Sequence, residues 1–311
     1  MNTKQSCRVG TVRVGILGAV LLCSLAVAQR AEANSCSANV TVQPINQSST
    51  VCGTSLGASV PFTGSDGNGT ATATNLVTLG ALHALTSVVL TVPTLVNSAL
   101  CCAVSQIQNS SFTFDDLVIS GPVGTIGTTL TVSFNVAISG ALTAVTTGTN
   151  MLAMAEVGTV YTLAGTSGQG ILQATNGGGF SASGILSGVA ASQGTINNTL
   201  RTGVATVTVG TPFSFSLLIG ENSIAGPTNF CNGGCVGTAA AIANFANTLG
   251  LPTTGPVANL PAGYTLNSAS GLIVNNQFTP TPAPTPEPST LLLLGSGLLA
   301  LAGAARRKLL D

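Results

Sequence analysis

The sequence contains few groups that usually carry chemistry. Charged side chains make up 5% of the 311 residues, tryptophan is absent, and there is one histidine. An ordinary domain carries about 25% charged residues. A nucleic-acid partner needs clustered basic side chains, and between residues 34 and 278 there is one basic residue, so we expect no such partner. That stretch has a net charge of −4 from six charged residues: Asp66, Asp115, Asp116, Glu156, Arg201 and Glu221.

Low charge does not indicate disorder here, because disordered segments combine high charge with low hydrophobicity. Hydrophobic residues make up 45% of the chain. Short β-type runs such as Ser87–Val92 and Pro212–Ile219 alternate with Gly/Asn/Pro turns, and no long helical pattern separates them. Residues 240–251 fit a helix or a strand; we favour a strand with Phe245 and Leu249 in the core. The pattern predicts an all-β body at 34–278, an antiparallel β-sandwich of the jelly-roll kind.

The first 33 residues have the features of a secretory signal peptide. Three basic residues come first, an apolar run from Ile16 to Ala28 follows, and Ala31-Glu32-Ala33 is a small-x-small cleavage site. Ala26-Val27-Ala28 is a second candidate site. A signal of this kind implies the Sec translocase and signal peptidase as partners. The basic residues are Lys4, Arg8 and Arg13.

The end of the chain divides into three parts. Residues 279–288 form a Pro/Thr-rich spacer, which proline keeps extended. Residues 289–305 carry no charge and as a helix would be about 25 Å long, slightly short of the hydrocarbon core of a bilayer. The basic stop Arg306, Arg307 and Lys308 would hold the C-terminus in the cytoplasm. We therefore expect a single transmembrane helix and basic tail at 289–311, with a buried core helix as the alternative.

The order of these parts resembles a known family. Pro286-Glu287-Pro288, then the apolar run, then Arg306-Arg307, is similar to the bacterial PEP-CTERM sorting signal. The resemblance implies recognition of the tripeptide by a membrane-embedded exosortase, a cysteine transpeptidase-like enzyme. It also implies a Gram-negative-type envelope and a link to exopolysaccharide or biofilm. The expected location is the inner membrane, through the C-terminal helix, and then the cell surface or exterior.

Six of the eight cysteines lie in the body. In an oxidising compartment an even number of cysteines predicts disulfides, and six allow 15 pairings. A bond between the neighbours Cys101 and Cys102 would be strained, so we expect them to pair elsewhere, with Cys36 and Cys52 as the natural partners. Cys231 and Cys235 can close a small loop through Gly233 and Gly234. A metal site formed by Cys231 and Cys235 with Cys101 and Cys102 is the alternative, and we expect none.

No catalytic constellation is evident, so we expect a protein that is not an enzyme and has no cofactor. His83 has no motif linking it to an acid. Asp115 and Asp116 would point to opposite faces of a strand, which prevents a carboxylate pair. One of them could bind Ca²⁺, or combine with Glu156 or Glu221 as glycosidase carboxylates.

We therefore expect a non-enzymatic surface or matrix protein. The main alternative is an adhesive module that binds carbohydrate or calcium. A secreted hydrolase and self-association through uncharged strand edges are further alternatives.

Overall fold

The computed structural model describes residues 34–42, 45–64, 67–96, 103–189, 194–227 and 234–280. These residues belong to one compact unit, Ala33–Pro280. The expected signal peptide at 1–33 and the expected tail helix at 289–311 lie outside the described residues. So do Cys101, Cys102 and Cys231.

The described chain consists of β-strands and turns, with no helix in the ranges given above. Alternation of buried and outward-facing residues is regular along the long strands; in β8 every second residue from Met151 to Leu163 is buried. The strands are β1 Ser35–Val42, β2 Ile45–Ser49, β3 Ser55–Gly64, β4 Gly67–Thr78, β5 Ala81–Val96, β6 Ala103–Ser120, β7 Thr129–Thr149, β8 Met151–Leu163, β9 Thr166–Thr175, β10 Gly179–Gly184, β11 Gly194–Arg201, β12 Ala205–Thr208, β13 Phe213–Pro227, β14 Cys235–Gly250, β15 Ala258–Asn259, β16 Thr265–Ser268, β17 Ile273–Val274 and β18 Gln277–Phe278.

Two antiparallel sheets pack face to face. Sheet I has the order β10-β9-β8-β13-β6-β1-β2, with β16 also paired to β6. Sheet II has the order β11-β7-β14-β5-β4-β3, with β12 and β15 paired to β7. Strands β13, β6 and β1 of sheet I contact β14, β5 and β4 of sheet II. The expectation of an all-β antiparallel body is thereby confirmed.

The chain alternates between the sheets through its longest strands. Strands β5 and β7 belong to sheet II, and β6 and β8 to sheet I. Late in the sequence, β13 inserts between β6 and β8, and β14 inserts between β5 and β7. The centre of each sheet therefore joins segments that are far apart in sequence, and it forms only once β13 and β14 are in place.

The core fills the space between the sheets. At one end it is aromatic: the rings of Phe134 and Phe215 lie 4.6 Å apart, and Phe112 and Phe114 meet edge to face at 5.8 Å. Phe245 and Leu249 of β14 are fully buried, as expected for a strand in this segment. Small side chains fill the interior elsewhere, among them Ala153, Ala155, Ala225, Ala239, Ala241 and Ala243.

Bulges interrupt several of the ladders. Leu117 pairs with Phe213 and Phe114 with Phe215, so two residues of β6 stand opposite one of β13. A second extra residue of β6 lies between Ile107 and Ser110. In β14, two extra residues lie between Phe245 and Leu249 relative to β5. Each bulge shifts the pairing register of the residues that follow it.

Candidate functional site

The sequence-predicted sorting residues lie beyond the described part of the chain. These are the motif Pro286, Glu287 and Pro288 and the basic stop Arg306, Arg307 and Lys308. Among the described residues no helix is long and apolar enough to cross a membrane. The geometry below therefore concerns the body, where polar side chains gather in three places.

One predicted cysteine pairing is wrong. Cys36 and Cys52 form a disulfide with each other, rather than with Cys101 and Cys102. The reason is topological: β1 and β2 form a hairpin, and the turn after β2 brings Cys52 back beside the start of β1, with 5.2 Å between the two Cα atoms. The bond joins sheet I to the segment that leads into sheet II.

Cys235, the first residue of β14, is disulfide-bonded as well. Its partner lies outside the described residues, so the predicted bridge to Cys231 stays a prediction. A disulfide-bonded sulfur is no thiolate ligand, which counts against the alternative of a metal site at Cys231 and Cys235.

Asp115 and Asp116 lie in a bulge of β6. Both flanking residues, Phe114 and Leu117, are buried in the core. The two aspartates stand opposite the single residue Ser214, and Asp115 is exposed whereas Asp116 is buried. That their side chains point to opposite faces stays a prediction.

Asp116 joins the beginning of β1 to a loop near the end of the body. Its Oδ2 accepts hydrogen bonds from the backbone N–H of Ser270, at 2.7 Å, and from Nδ2 of Asn34, at 3.2 Å. Asn34 Oδ1 in turn accepts the N–H of Asp115. The hydroxyl of Ser270 donates a hydrogen bond to Ser268 Oγ, which also accepts the N–H of Ile273. We call Asn34, Asp115, Asp116, Ser268 and Ser270 the aspartate cluster.

The aspartate cluster carries negative charge that is only partly compensated. Asp116 is 9% exposed, and its Oδ1 has no hydrogen-bond partner. Loss of hydration, and secondarily the charge of Asp116, raise the pKa of Asp115 above its usual value. Across the described ranges no three His, Cys, Asp or Glu side chains come together to hold a metal. Because Oδ2 of Asp116 is already engaged by N–H donors, the cluster has few of the free oxygens that calcium requires.

A second polar group lies inside the sandwich. Glu221 is 2% exposed, and neither carboxyl oxygen has a hydrogen-bond partner. Burial raises the pKa of Glu221 well above its usual value, and the nearby backbone amides of Thr86 and Phe245 oppose this only in part. Close by, the Thr86 and Ser223 hydroxyls bond each other at 2.8 Å across the two sheets. The interior position of Glu221 was not predicted from the sequence.

The carboxylates considered for glycoside hydrolysis do not converge. Glu221 faces the core, whereas Glu156 faces outward and accepts Gln173 Nε2 at 3.0 Å. Glu221 pairs with Ile107, nine residues along β6 from Asp116, a distance of about 30 Å along the strand. Paired glycosidase carboxylates are separated by less than about 10 Å.

His83 has a structural contact. Its Nδ1 lies 2.8 Å from the carbonyl oxygen of Ala246, in the bulge of β14. The side chain is partly buried on β5 and shares this contact with no carboxylate.

The third polar group is a row across the outer face of sheet I. In register lie Gln173 of β9, Glu156 of β8 and Asn222 of β13. Oδ1 of Asn222 is buried and has no partner. We call Gln173, Glu156 and Asn222 the amide row.

Beside the amide row lies a short stretch without side chains, which we call the furrow. It consists of the facing pair Gly158 and Gly220, two residues along β8 and β13 from Glu156 and Asn222. A Cβ at Gly158 would have only one atom near it, at 3.9 Å. Val160 and Leu218 form the opposite wall, and Val160 is exposed. The furrow thus offers hydrogen-bonding groups along one side and apolar groups along the other.

Comparison with known proteins identifies the tail. Residues 284–308 match the family model of the PEP-CTERM protein-sorting motif. No curated protein matches the chain significantly. No solved structure does so either.

The molecule is thus an all-β body followed by a C-terminal sorting motif. In particular, the chain carries a PEP-CTERM motif, which implies an exported, membrane-associated protein recognised by an exosortase-type system. The resemblance drawn from Pro286-Glu287-Pro288, the apolar run and the basic end is confirmed.

Proposed function

We propose that this protein is a non-enzymatic component of the cell surface or extracellular matrix, associated with exopolysaccharide or biofilm. The observation that carries the proposal is the sorting motif at residues 284–308, placed directly after a self-contained β body. In this proposal the motif delivers the body, and the body provides a stable surface.

Two features of the body support an extracellular role. The Cys36–Cys52 disulfide fits an oxidising compartment. The body is rich in Ser, Thr, Asn and Gly, and among the described carboxylates only Asp115 and Asp116 are neighbours in sequence. The insertion of β13 and β14 into the centres of the two sheets leads us to assign the body to the jelly-roll class.

The proposed route has two stages. The signal at 1–33 takes the chain through the Sec translocase and is removed by signal peptidase. The helix at 289–305 and the stop at Arg306, Arg307 and Lys308 then hold the chain in the inner membrane. The exosortase-type enzyme acts at Pro286-Glu287-Pro288 and releases the body toward the surface.

Deleting Pro286-Glu287-Pro288 tests this route. The deleted protein should stay uncleaved in the inner-membrane fraction, whereas the wild type is recovered at the surface or outside. A matched deletion of Thr281, Pro282 and Ala283 removes three spacer residues outside the matched region and should leave sorting intact. Equal export of both deletion variants would contradict the proposal. Fractionation followed by intact mass reports both outcomes.

A second candidate function is carbohydrate binding at the furrow. Amide and carboxylate groups donate and accept hydrogen bonds as sugar hydroxyls require, and Gln173 and Glu156 lie side by side on the outer face. Glycan-array binding should be lost with Glu156→Gln combined with Asn222→Ala, and retained with Ser216→Ala on the same face. A calcium-dependent adhesive would instead lose binding on chelation and with Asp115→Asn. No binding to any glycan, with or without Ca²⁺, would remove this candidate.

A further inference from the structure

The position of Asn34 links the aspartate cluster to processing of the chain. Asn34 is the residue that follows the predicted cleavage site Ala31-Glu32-Ala33. Its side chain contacts both aspartates, donating to Asp116 Oδ2 at 3.2 Å and accepting the N–H of Asp115 at 3.2 Å. Strand β1 begins at the next residue, Ser35, which pairs with Thr113 of β6. Cleavage after Ala33 would therefore create a new amino terminus beside the carboxylate of Asp116.

Among the residues that the structure describes, no positively charged side chain is paired with either carboxylate. Asp116 is 9% exposed, and its Oδ1 accepts no hydrogen bond. The titratable groups on the elements packed against Asn34 are Asp115 and Asp116 alone, since β1, β16 and the loop at residues 269–272 contain no charged residue. The single basic residue of the body, Arg201, lies on β11 of sheet II. A buried acceptor without a donor is unfavourable until a cation or donor reaches it.

We propose that removal of the signal peptide supplies this partner: the α-ammonium group of Asn34 docks on the carboxylate of Asp116 and neutralises the aspartate cluster. Signal peptidase hydrolyses the Ala33–Asn34 peptide bond with water. The carboxylate departs with Ala33, and the released amine takes up a proton to become the ammonium group. The inference rests on the proposed export signal, and it adds a role for the cleaved end in completing the fold.

Covalent geometry makes the docking short-range. The backbone nitrogen of an asparagine lies within about 5 Å of its own side-chain amide, so the new ammonium starts close to Asp116. An ammonium group has three N–H donors, whereas a peptide nitrogen at the same position has one. Before cleavage the chain continues through Ala33, and that N–H carries no charge. The precursor therefore has an incomplete cluster, and the processed protein has a complete one.

The new amine can be followed by chemical modification, because the chain contains few other primary amines. Lysine occurs only at positions 4 and 308, so after cleavage the α-amine and Lys308 are the only primary amines. The full chain is exported with its own signal, recovered from the envelope, and its N-terminus is sequenced. Amine acetylation is then followed against pH at the N-terminal peptide by mass spectrometry, with Lys308 as an internal reference wherever the tail is retained.

The expected N-terminus is Asn34, and its amine should acetylate about tenfold more slowly at neutral pH than the same amine in Asp116→Asn, because the ion pair keeps it protonated. Glu156→Gln makes the same charge change away from the cluster and should acetylate like the wild type. If Asp116→Asn fails to fold, a chain with Ala-Gly inserted between Ala33 and Asn34 leaves the carboxylates unchanged and displaces the amine. Its amine should acetylate at the ordinary rate.

Two results would overturn the inference. One is an N-terminus at Gln29, which would place cleavage at Ala26-Val27-Ala28. The other is an equal acetylation rate in the wild type, Asp116→Asn and the insertion variant. Neither result bears on sorting by Pro286-Glu287-Pro288, which the deletion experiment tests separately.

Discussion

At the scale of single residues, Glu221 should make the body less stable as pH rises. Burial raises the pKa of this carboxyl well above its usual value. Above about pH 4.5 the unfolded chain therefore loses a proton that the folded chain keeps. The free energy of unfolding should then fall by about 1.4 kcal/mol per pH unit until the folded-state pKa is reached. Urea denaturation between pH 4 and pH 8 measures this slope.

The variant Glu221→Gln isolates the effect, because an amide of the same shape does not titrate in this range. Its stability should lose most of the downward slope. Glu156→Gln is the matched control: Glu156 lies on the outer face beside Gln173, and its removal should leave the slope unchanged. The same slope in wild type and Glu221→Gln would show that Glu221 is not the responsible group.

The Cys36–Cys52 disulfide should contribute substantially to stability. The two cysteines are 16 residues apart in sequence, and a loop of that length is associated with about 3 kcal/mol. Replacing both cysteines with serine should lower the free energy of unfolding by about that amount under non-reducing conditions. Because the comparison involves no reductant, the second disulfide at Cys235 stays intact. An unchanged denaturation midpoint would contradict a structural role for the bond.

At the scale of secondary-structure elements, the pairing of β7 with β14 depends on two facing glycines. Gly148 and Gly237 pair with each other, and both have positive φ, 87° and 136°. A Cβ on Gly237 would run into the carbonyl oxygen of Thr147 on the neighbouring strand. Gly255 also has positive φ, at 82°, but a Cβ there meets nothing within 4 Å.

These two positions separate the cost of backbone conformation from the cost of collision. Gly255→Ala should lower the free energy of unfolding by about 1–2 kcal/mol, because a residue with a side chain is unfavourable in the left-handed backbone conformation. Gly237→Ala should cost about 1–3 kcal/mol more, because β7 and β14 must also move apart. Thermal denaturation of both variants tests this difference. Equal losses of stability would mean that β7 and β14 move apart without a cost in free energy.

The sequence predicted the strands that bury a face and missed those that do not. Alternation at Phe213, Phe215 and Leu217 gave β13, and Phe245 with Leu249 identified β14 as a strand. The edge strands β2, β10 and β11 lack such a run, because only one neighbour and little core lie against them. Their boundaries depend on the ladder of the adjacent strand, which the local sequence does not contain.

A bulge cannot be predicted from local alternation. Alternation assumes one residue per step, whereas Asp115 and Asp116 together stand opposite the single residue Ser214. The extra residue at this point is fixed by where Phe114 and Leu117 reach the core. Glu221 continues the inward alternation of Phe215, Leu217 and Ile219, but a carboxyl group at a core position was not predicted, because burying it without a partner is costly. The sorting motif differs from these sites, because it is defined by the order of its residues. It could therefore be identified from the sequence without knowledge of the fold.

At the scale of the whole molecule, the edges of the sheets bear on self-association. Among the edge strands β2, β3, β10 and β11, the single charged residue is Arg201. Pro61 in β3 removes one backbone donor, and β2 and β10 have 5 and 6 residues. Strand shortness and proline therefore provide the protection against edge pairing that charge provides in most proteins.

The body should fold without either end of the chain. Both sheets and their core lie within residues 34–280, and the ends form no part of that unit. A fragment of residues 34–280 should therefore give a β-type circular dichroism spectrum and one cooperative thermal transition, with a midpoint close to that of the full chain. A fragment without cooperative unfolding would show that the ends support the fold.

A slightly shorter fragment tests where the body ends. Phe278 is 5% exposed and packs against Gly80, where a Cβ would collide with its ring, and the N–H of Thr279 bonds the carbonyl of Leu272 at 2.8 Å. Removing a buried phenylalanine costs about 3–5 kcal/mol, so a fragment of residues 34–276 should melt well below the 34–280 fragment. Equal midpoints would place the boundary before β18. A large difference would mean that the folded body includes β18 and ends where the proline-rich spacer begins.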